Sequence, residues 1–290
     1  MDYSLKVKKL PDTGETILAE SFFTAPGGKG ANQAVAAKRL GAEVIMIGAV
    51  GKDSIGTELR SRLDEEDIAT SSIKSVSTPT GNAMITVDNR GYNTIVVYPG
   101  ANSEMDEDWL LKNIMIIEEA DYIILQLEIP IQTVLAAIKL VKRLNKKVIL
   151  NPAPAQALPE EIFKGIHIMT PNETELAVIT GTKDIEEGAK MLLDKGVKSV
   201  IVTLGDKGCY YKDEDQEIHM EPYKTNSIDS TAAGDSFNAA VAVALSEGKP
   251  LDEVLQYANA VGALTTTKLG AMEALPYKHE VEEFLRGISD

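Results

Sequence analysis

The amino-acid sequence predicts an α/β protein: a doubly wound, mainly parallel sheet with a small separate β-sheet beside it. Three observations carry that prediction. Short, near-continuous apolar runs at 44–50, 122–127, 147–150, 166–170 and 200–204 read as strands buried on both faces. Segments of helical period lie between them, at 32–40, 55–66, 106–118, 131–145 and 185–195, so strand and helix alternate as in βαβ units. Finally, 3–24 and 82–98 alternate polar and apolar residues around Pro11-Asp12-Thr13-Gly14 and Asp88-Asn89-Arg90-Gly91. Alternation of that kind belongs to hairpins with one wet face.

Taken in order, residues 1–15 contain no apolar core of a signal peptide. The two hairpins supply four strands, either a lid over a cleft or an antiparallel extension of the main sheet. We divide the chain into an α/β body, 25–81 and 99–290, and a β lid, 2–24 and 82–98. After Gly234 the rhythm changes to two successive helices, 235–247 and 251–268, joined by Gly248-Lys249-Pro250, and a last helix covers about 279–286.

Composition narrows the function. With 290 residues, 44% hydrophobic and 25% charged, the chain matches ordinary globular domains. Twenty-nine basic against 44 acidic residues give a formal net charge of −15, which repels a phosphate backbone and argues against nucleic-acid binding. An anionic substrate must therefore meet a local electropositive site. No apolar run reaches the ~18 residues of a membrane span. A single cysteine, Cys209, permits no internal disulfide and suits a reducing, cytoplasmic setting as a small buried hydrophobe. His167, His219 and His279 lack metal-ligand spacing and read as structural.

Two stretches carry chemistry. Ala25-Pro-Gly-Gly-Lys-Gly-Ala-Asn-Gln33 runs into a helix, with Gly27, Gly28 and Gly30 removing side chains where a ligand would approach the backbone. Its spacing fits neither a P-loop nor a dinucleotide fingerprint. Asn32 falls in the first helical turn. Near the other end, Asp229-Ser-Thr-Ala-Ala-Gly-Asp-Ser-Phe237 places small residues Ala232, Ala233 and Gly234 at a helix start, a ready anion hole. Asp235 stands at the same start. A carboxylate beside an anion hole is what phosphoryl transfer to an alcohol requires. A simple helix cap is the other reading of Asp235.

Together, GGKGANQA and DSTAAGDSF resemble the ribokinase (phosphofructokinase-B type) carbohydrate kinase family. Gln126-Leu-Glu128, Asn151-Pro-Ala-Pro154, Thr170-Pro-Asn-Glu-Thr-Glu175 and Thr203-Leu-Gly-Asp-Lys-Gly208 agree with it. The resemblance implies a ribokinase-like fold and ATP-dependent phosphorylation of D-ribose at the 5-hydroxyl, with Mg²⁺ and K⁺. It makes Asp235 the base and Ala232, Ala233 and Gly234 the anion hole. It gives sugar contacts to Asp2, Gly28, Lys29, Asn32 and Glu128, and associates Asn172 and Glu175 with Mg²⁺ and phosphate. It puts Thr203, Gly205, Gly208 and Asn259 around the nucleotide. A K⁺ loop would use oxygens of Asp229, Thr231, Thr265, Lys268, Gly270 and Ala274, where relatives often carry Ser in the last place. The β lid would pair two subunits as a homodimer. Asn172 or Glu175 could also simply cap the helix after Pro171. The same family contains two other possibilities, a different sugar or nucleoside kinase such as a deoxyribokinase, or a non-catalytic sugar-binding relative. Relatives open with a strand ending in Gly-Ser-x-Asn-x-Asp, and here Met1 stands just before Asp2. The resemblance therefore implies a sheet short of its first central strand, with a slot in its place.

Overall fold

The computed structural model describes residues 1–289. The chain runs β1 (Asp2–Val7), β2 (Ser21–Ala25), α1 (Lys29–Arg39), β3 (Gly48–Gly51), α2 (Ser54–Glu65), β4 (Ile73–Val76), β5 (Asn82–Asp88) and β6 (Asn93–Tyr98). It continues through α3 (Glu107–Lys112), α4 (Ile114–Glu119), β7 (Tyr122–Leu125), α5 (Ile131–Arg143), β8 (Lys147–Leu150), β9 (Ile168–Met169), α6 (Glu173–Thr180) and α7 (Ile185–Asp194). It ends with β10 (Ser199–Thr203), β11 (Cys209–Lys212), β12 (Glu217–Met220), α8 (Ala233–Ser246), α9 (Leu251–Thr265) and α10 (Lys278–Ser289).

Six strands form the larger sheet in the order β12-β11-β10-β9-β8-β7. Strands β7 to β10 are parallel, and β11 and β12 turn back antiparallel at the edge. Val148, Ile149 and Leu150 of β8 are wholly buried on both faces, which explains their unbroken apolar run. One side is covered by α5, α6 and α7, the other by α1, α8 and α9. The helix α8 is buried along residues 235–244, and its alanines let α1 and α9 close around it.

Strands β3 and β4 pair only with each other, in parallel. Residues 46–50 and 123–125 line one cavity of about 2300 Å³ that runs on into the cleft beside α8. Of the predicted run 44–50, only the end pairs fully; Ile45 makes a lone bridge to Ala69.

The other four strands make their own sheet, β2-β1-β5-β6. Each hairpin is antiparallel, and they join through the parallel pair β1–β5. Residues 82–88 and 93–98 turn tightly, held by Asp88, whose carboxylate accepts from the Arg90 and Tyr92 amides. The predicted helix 106–118 is two helices. The break falls at Asn113, whose side chain donates to the Trp109 carbonyl at 2.8 Å and competes with the helical ladder. Among the described residues no helix is long and apolar enough to cross a membrane.

Candidate active site

The site gathers where two chain segments converge on the carboxyl ends of the parallel strands, as open α/β sheets favour. The first segment enters from β2. A Cβ at Gly27 would push against the carboxylate of Asp2 and displace it, and Gly28 holds a left-handed φ of +98°. The turn brings the Lys29 backbone N–H to Glu128 Oε2 at 2.8 Å, so the loop is fastened to the end of β7. Asn32 follows, one turn into α1.

The second segment is the start of α8. Ala232 sits ahead of it with φ +60°, a left-handed conformation unusual for a side chain larger than glycine. The Ala233 N–H donates to Ser230 O at 3.2 Å. Of the three residues expected to form an anion hole, Ala233 is thus turned into its own loop. The N–H groups of Ala232, Gly234 and Asp235 donate to no group among the described residues, and nothing lies within 4 Å of where a Gly234 Cβ would be. That leaves an open, donor-lined helix start.

Asp235 is buried there. Asn32 Nδ2 donates to its Oδ2 at 2.9 Å and Gln33 Nε2 to its Oδ1 at 3.0 Å. Burial lifts its carboxyl above the ordinary range, opposed by Lys29 and by these two amides. Burial likewise raises Glu128, against the Lys29 amide and charge, and raises Asp2, against the nearby amino terminus and Lys29. Asn32 Oδ1 is buried with no partner, although its carbonyl can accept. Asp2, Lys29, Asn32, Glu128 and Asp235 line one cavity. These five residues offer three carboxylates and a free amide carbonyl to a polyol, and one ammonium to an anion.

Asn172 and Glu175 form a capping box on α6: Glu175 N–H donates to Asn172 Oδ1 at 2.8 Å, and Asn172 N–H to Glu175 Oε2 at 2.9 Å. Glu175 still lines the cavity, its carboxyl raised by burial and sensing Lys29 and Asp235. Thr203, Gly205 and Gly208 surround the carboxyl end of β10, the two glycines with positive φ. Asn259 on α9 donates to Glu221 O at 3.3 Å.

Asp229 ties two loops together. Its Oδ1 accepts from Thr231 N–H and Oγ1, and its Oδ2 from Gly270 N–H at 3.0 Å. Burial would raise this carboxyl, but those donors hold it below the usual range. Thr265 spends its hydroxyl on Val261 O while bonding Ser236 Oγ, and Lys268 pairs with Glu280. Both are left with backbone carbonyls to offer, as is Ala274. Among the described residues no cluster of three His, Cys, Asp or Glu could hold a metal.

Sequence reasoning passed over Gln33, Gln126, Asn151, Thr170 and Asn238, which link up behind Asp235. Four lay inside quoted motifs, and the available signal was amides at successive strand ends. Cys209 is buried, its thiol pushed up to about 12 by burial.

Residues 1–278 match the pfkB family carbohydrate kinases. The ribokinase of Haemophilus influenzae is 39% identical over 290 residues, covering 98% of this chain and 95% of that one. Among solved structures, ribokinase from Thermotoga maritima is 40% identical with a TM-score of 0.91, covering 98% of this chain and 96% of its own. Arabidopsis thaliana ribokinase complexed with ribose and ATP is 32% identical with a TM-score of 0.89, covering 98% and 95%.

Proposed function

The chain belongs to the pfkB family of carbohydrate kinases, and from that premise we propose that it transfers the terminal phosphoryl group of ATP to the 5-hydroxyl of D-ribose. The observation that carries this reading is the buried Asp235 carboxylate beside the unpaired N–H groups that open α8. The sugar would lie between Asp2 and Glu128, with Asn32 Oδ1 accepting one of its hydroxyl protons. Asp235 takes the proton of the 5-hydroxyl as its oxygen bonds to phosphorus. The bond from that phosphorus to the bridging oxygen breaks, and ADP leaves with the electron pair. The N–H groups of Ala232, Gly234 and Asp235 hold the charge that spreads over the transferring oxygens, work that the surface charge of −15 cannot do.

Thr203, Gly205, Gly208 and Asn259 would hold the nucleotide. Mg²⁺ keeps most of its water and usually needs only one or two protein carboxylates, so Glu175 with its free oxygen suffices, with Asn172 orienting it. The ion neutralises phosphate charge when bound. The loop of Asp229, Thr231, Thr265, Lys268, Gly270 and Ala274 would take K⁺ and so stiffen the approach to α8.

The test is ADP release over pentoses, 2-deoxyribose, hexoses and nucleosides, with and without K⁺. Ribose should give the highest kcat/KM, with K⁺ raising the rate. A higher kcat/KM for 2-deoxyribose or a nucleoside would overturn the substrate reading. Equal rates in Na⁺ and K⁺ would overturn the cation site.

A homodimer through the four-stranded sheet belongs to the same proposal. Phe22, Met84 and Val96 share one face of it by strand alternation and are each more than half exposed, an apolar stripe of the kind that marks an interaction surface. Sedimentation equilibrium at micromolar concentration should give twice the chain mass; a single chain would count against pairing. A reducing cytoplasm suits the lone thiol of Cys209.

A further inference from the structure

The residue after Asn32 is buried, and the chemistry above gives it no part. We propose that Gln33 is a positioning residue that fixes the Asp235 carboxylate for proton transfer, itself oriented by Gln126 and Asn151.

A glutamine amide has two N–H donors and one carbonyl. All are used here. Gln33 Nε2 donates to Asp235 Oδ1 at 3.0 Å and to Asn151 Oδ1 at 3.3 Å, while Oε1 accepts from Gln126 Nε2. Turning the amide over would set its oxygen against the Asp235 carboxylate and its nitrogen against the nitrogen of Gln126. The partners therefore allow one orientation. Asn151 is fixed in turn, because its Nδ2 donates to Thr170 O at 3.2 Å. A second arm follows: the Thr170 hydroxyl donates to Asn238 Oδ1, and Asn238 Nδ2 to Gly234 O at 2.8 Å. The ends of β7, β8 and β9 thus grip the first turn of α8 at two points, the side chain of Asp235 and the carbonyl before it.

The geometry leaves the two carboxylate oxygens unlike. Oδ2 meets Asn32, which faces the cavity and has its own carbonyl free for a ligand. Oδ1 meets Gln33, only 1% exposed and tied to the sheet. Sugar binding can rearrange the first contact while the second stays, so the carboxylate keeps its aim as the proton arrives.

The assignment rests on Asp235 being the base, so one readout must work without substrate. The Asp235 carboxyl is titrated by ¹³C NMR, identified by the signal that Asp235→Asn removes. In Gln33→Met, which keeps length and loses the amide, the midpoint should move to higher pH, since one donor to the charged form is gone. With ribose and ATP, kcat should fall about a hundredfold while KM for the sugar stays within about threefold. Should Gln33→Met not fold, Gln126→Met frees the amide of Gln33 to turn and should lower kcat about tenfold, again without a matching rise in KM. An unmoved Asp235 midpoint in a folded variant would overturn the proposal, as would a loss carried wholly by KM. If wild type leaves ribose untouched while the midpoint still moves, the substrate reading falls and the positioning role stands.

Discussion

Asp235→Asn should lower kcat about a thousandfold while ribose still binds with nearly its original affinity, because general-base catalysis contributes about 10²–10⁴ and asparagine keeps the shape without the base. Two consequences travel with that substitution. Asparagine has one carbonyl where the carboxylate had two acceptors, so its NH₂ faces either Asn32 or Gln33 and leaves a buried donor unmet. Removing a buried charge acts the other way, so the net change in stability should be small. The pH profile separates base from bystander. A base acts when ionised, so activity rises with pH through its pKa. Burial lifts the Asp235 carboxyl of the free protein, which puts the acid limb of the wild-type kcat/KM above the range of an exposed aspartate. In Asp235→Asn that limb disappears. Stopped-flow turnover from pH 4 to 8 with calorimetric sugar titrations checks both, and a kcat within tenfold of wild type would remove Asp235 from the role.

Gly234→Val should lower kcat about a hundredfold, comparable with losing a donor from an oxyanion hole, without weakening the fold. The reason lies in what glycine is not needed for. Gly234 has no left-handed φ, and no atom stands where its Cβ would be. Helical glycine costs roughly 0.5–1 kcal/mol relative to alanine, so the residue is slightly unfavourable where it is. Gly234→Ala should therefore raise the denaturation midpoint, with valine obstructing a phosphate more fully. The expected pattern is a protein as stable as wild type whose rate has collapsed. Full activity in Gly234→Val would mean that the transferring phosphate lies elsewhere.

Comparing residues with geometry shows which parts of the site local sequence can carry. Gly27, Gly28, Asn32 and Asp235 were legible because close approach and base chemistry each demand a residue type at a fixed place along the chain. The pair Gln33–Asp235 was not, since 202 positions separate its members and neither is unusual alone. Asn172 and Glu175 show the reverse limit: one spacing, N-x-x-E, serves a capping box and a phosphate site equally, and the structure holds them as a box. In the fold, the unbroken apolar runs announced β7, β8 and β10. β4 (IKSV) and the edge strand β12 (EIHM) are short and half polar, so only pairing partners define them. The parallel join β1–β5 depends on two segments about 80 residues apart, beyond any periodicity.

The four-stranded sheet is attached to the body along a single row. β1 starts at Asp2 opposite Ala25 and Ala83, and β6 returns at Tyr98 opposite Asn82; the other ends carry only loops. Mechanically this is a cantilever about 17 Å long, five steps of extended chain. A tilt of 10° at the root would carry the tip, near Asp88, through roughly 3 Å by that same length. The carboxylate of Asp2 sits at the root, where displacement is least. A swing of the sheet would therefore carry its tip furthest and leave Asp2, the sugar contact proposed above, close to the pivot.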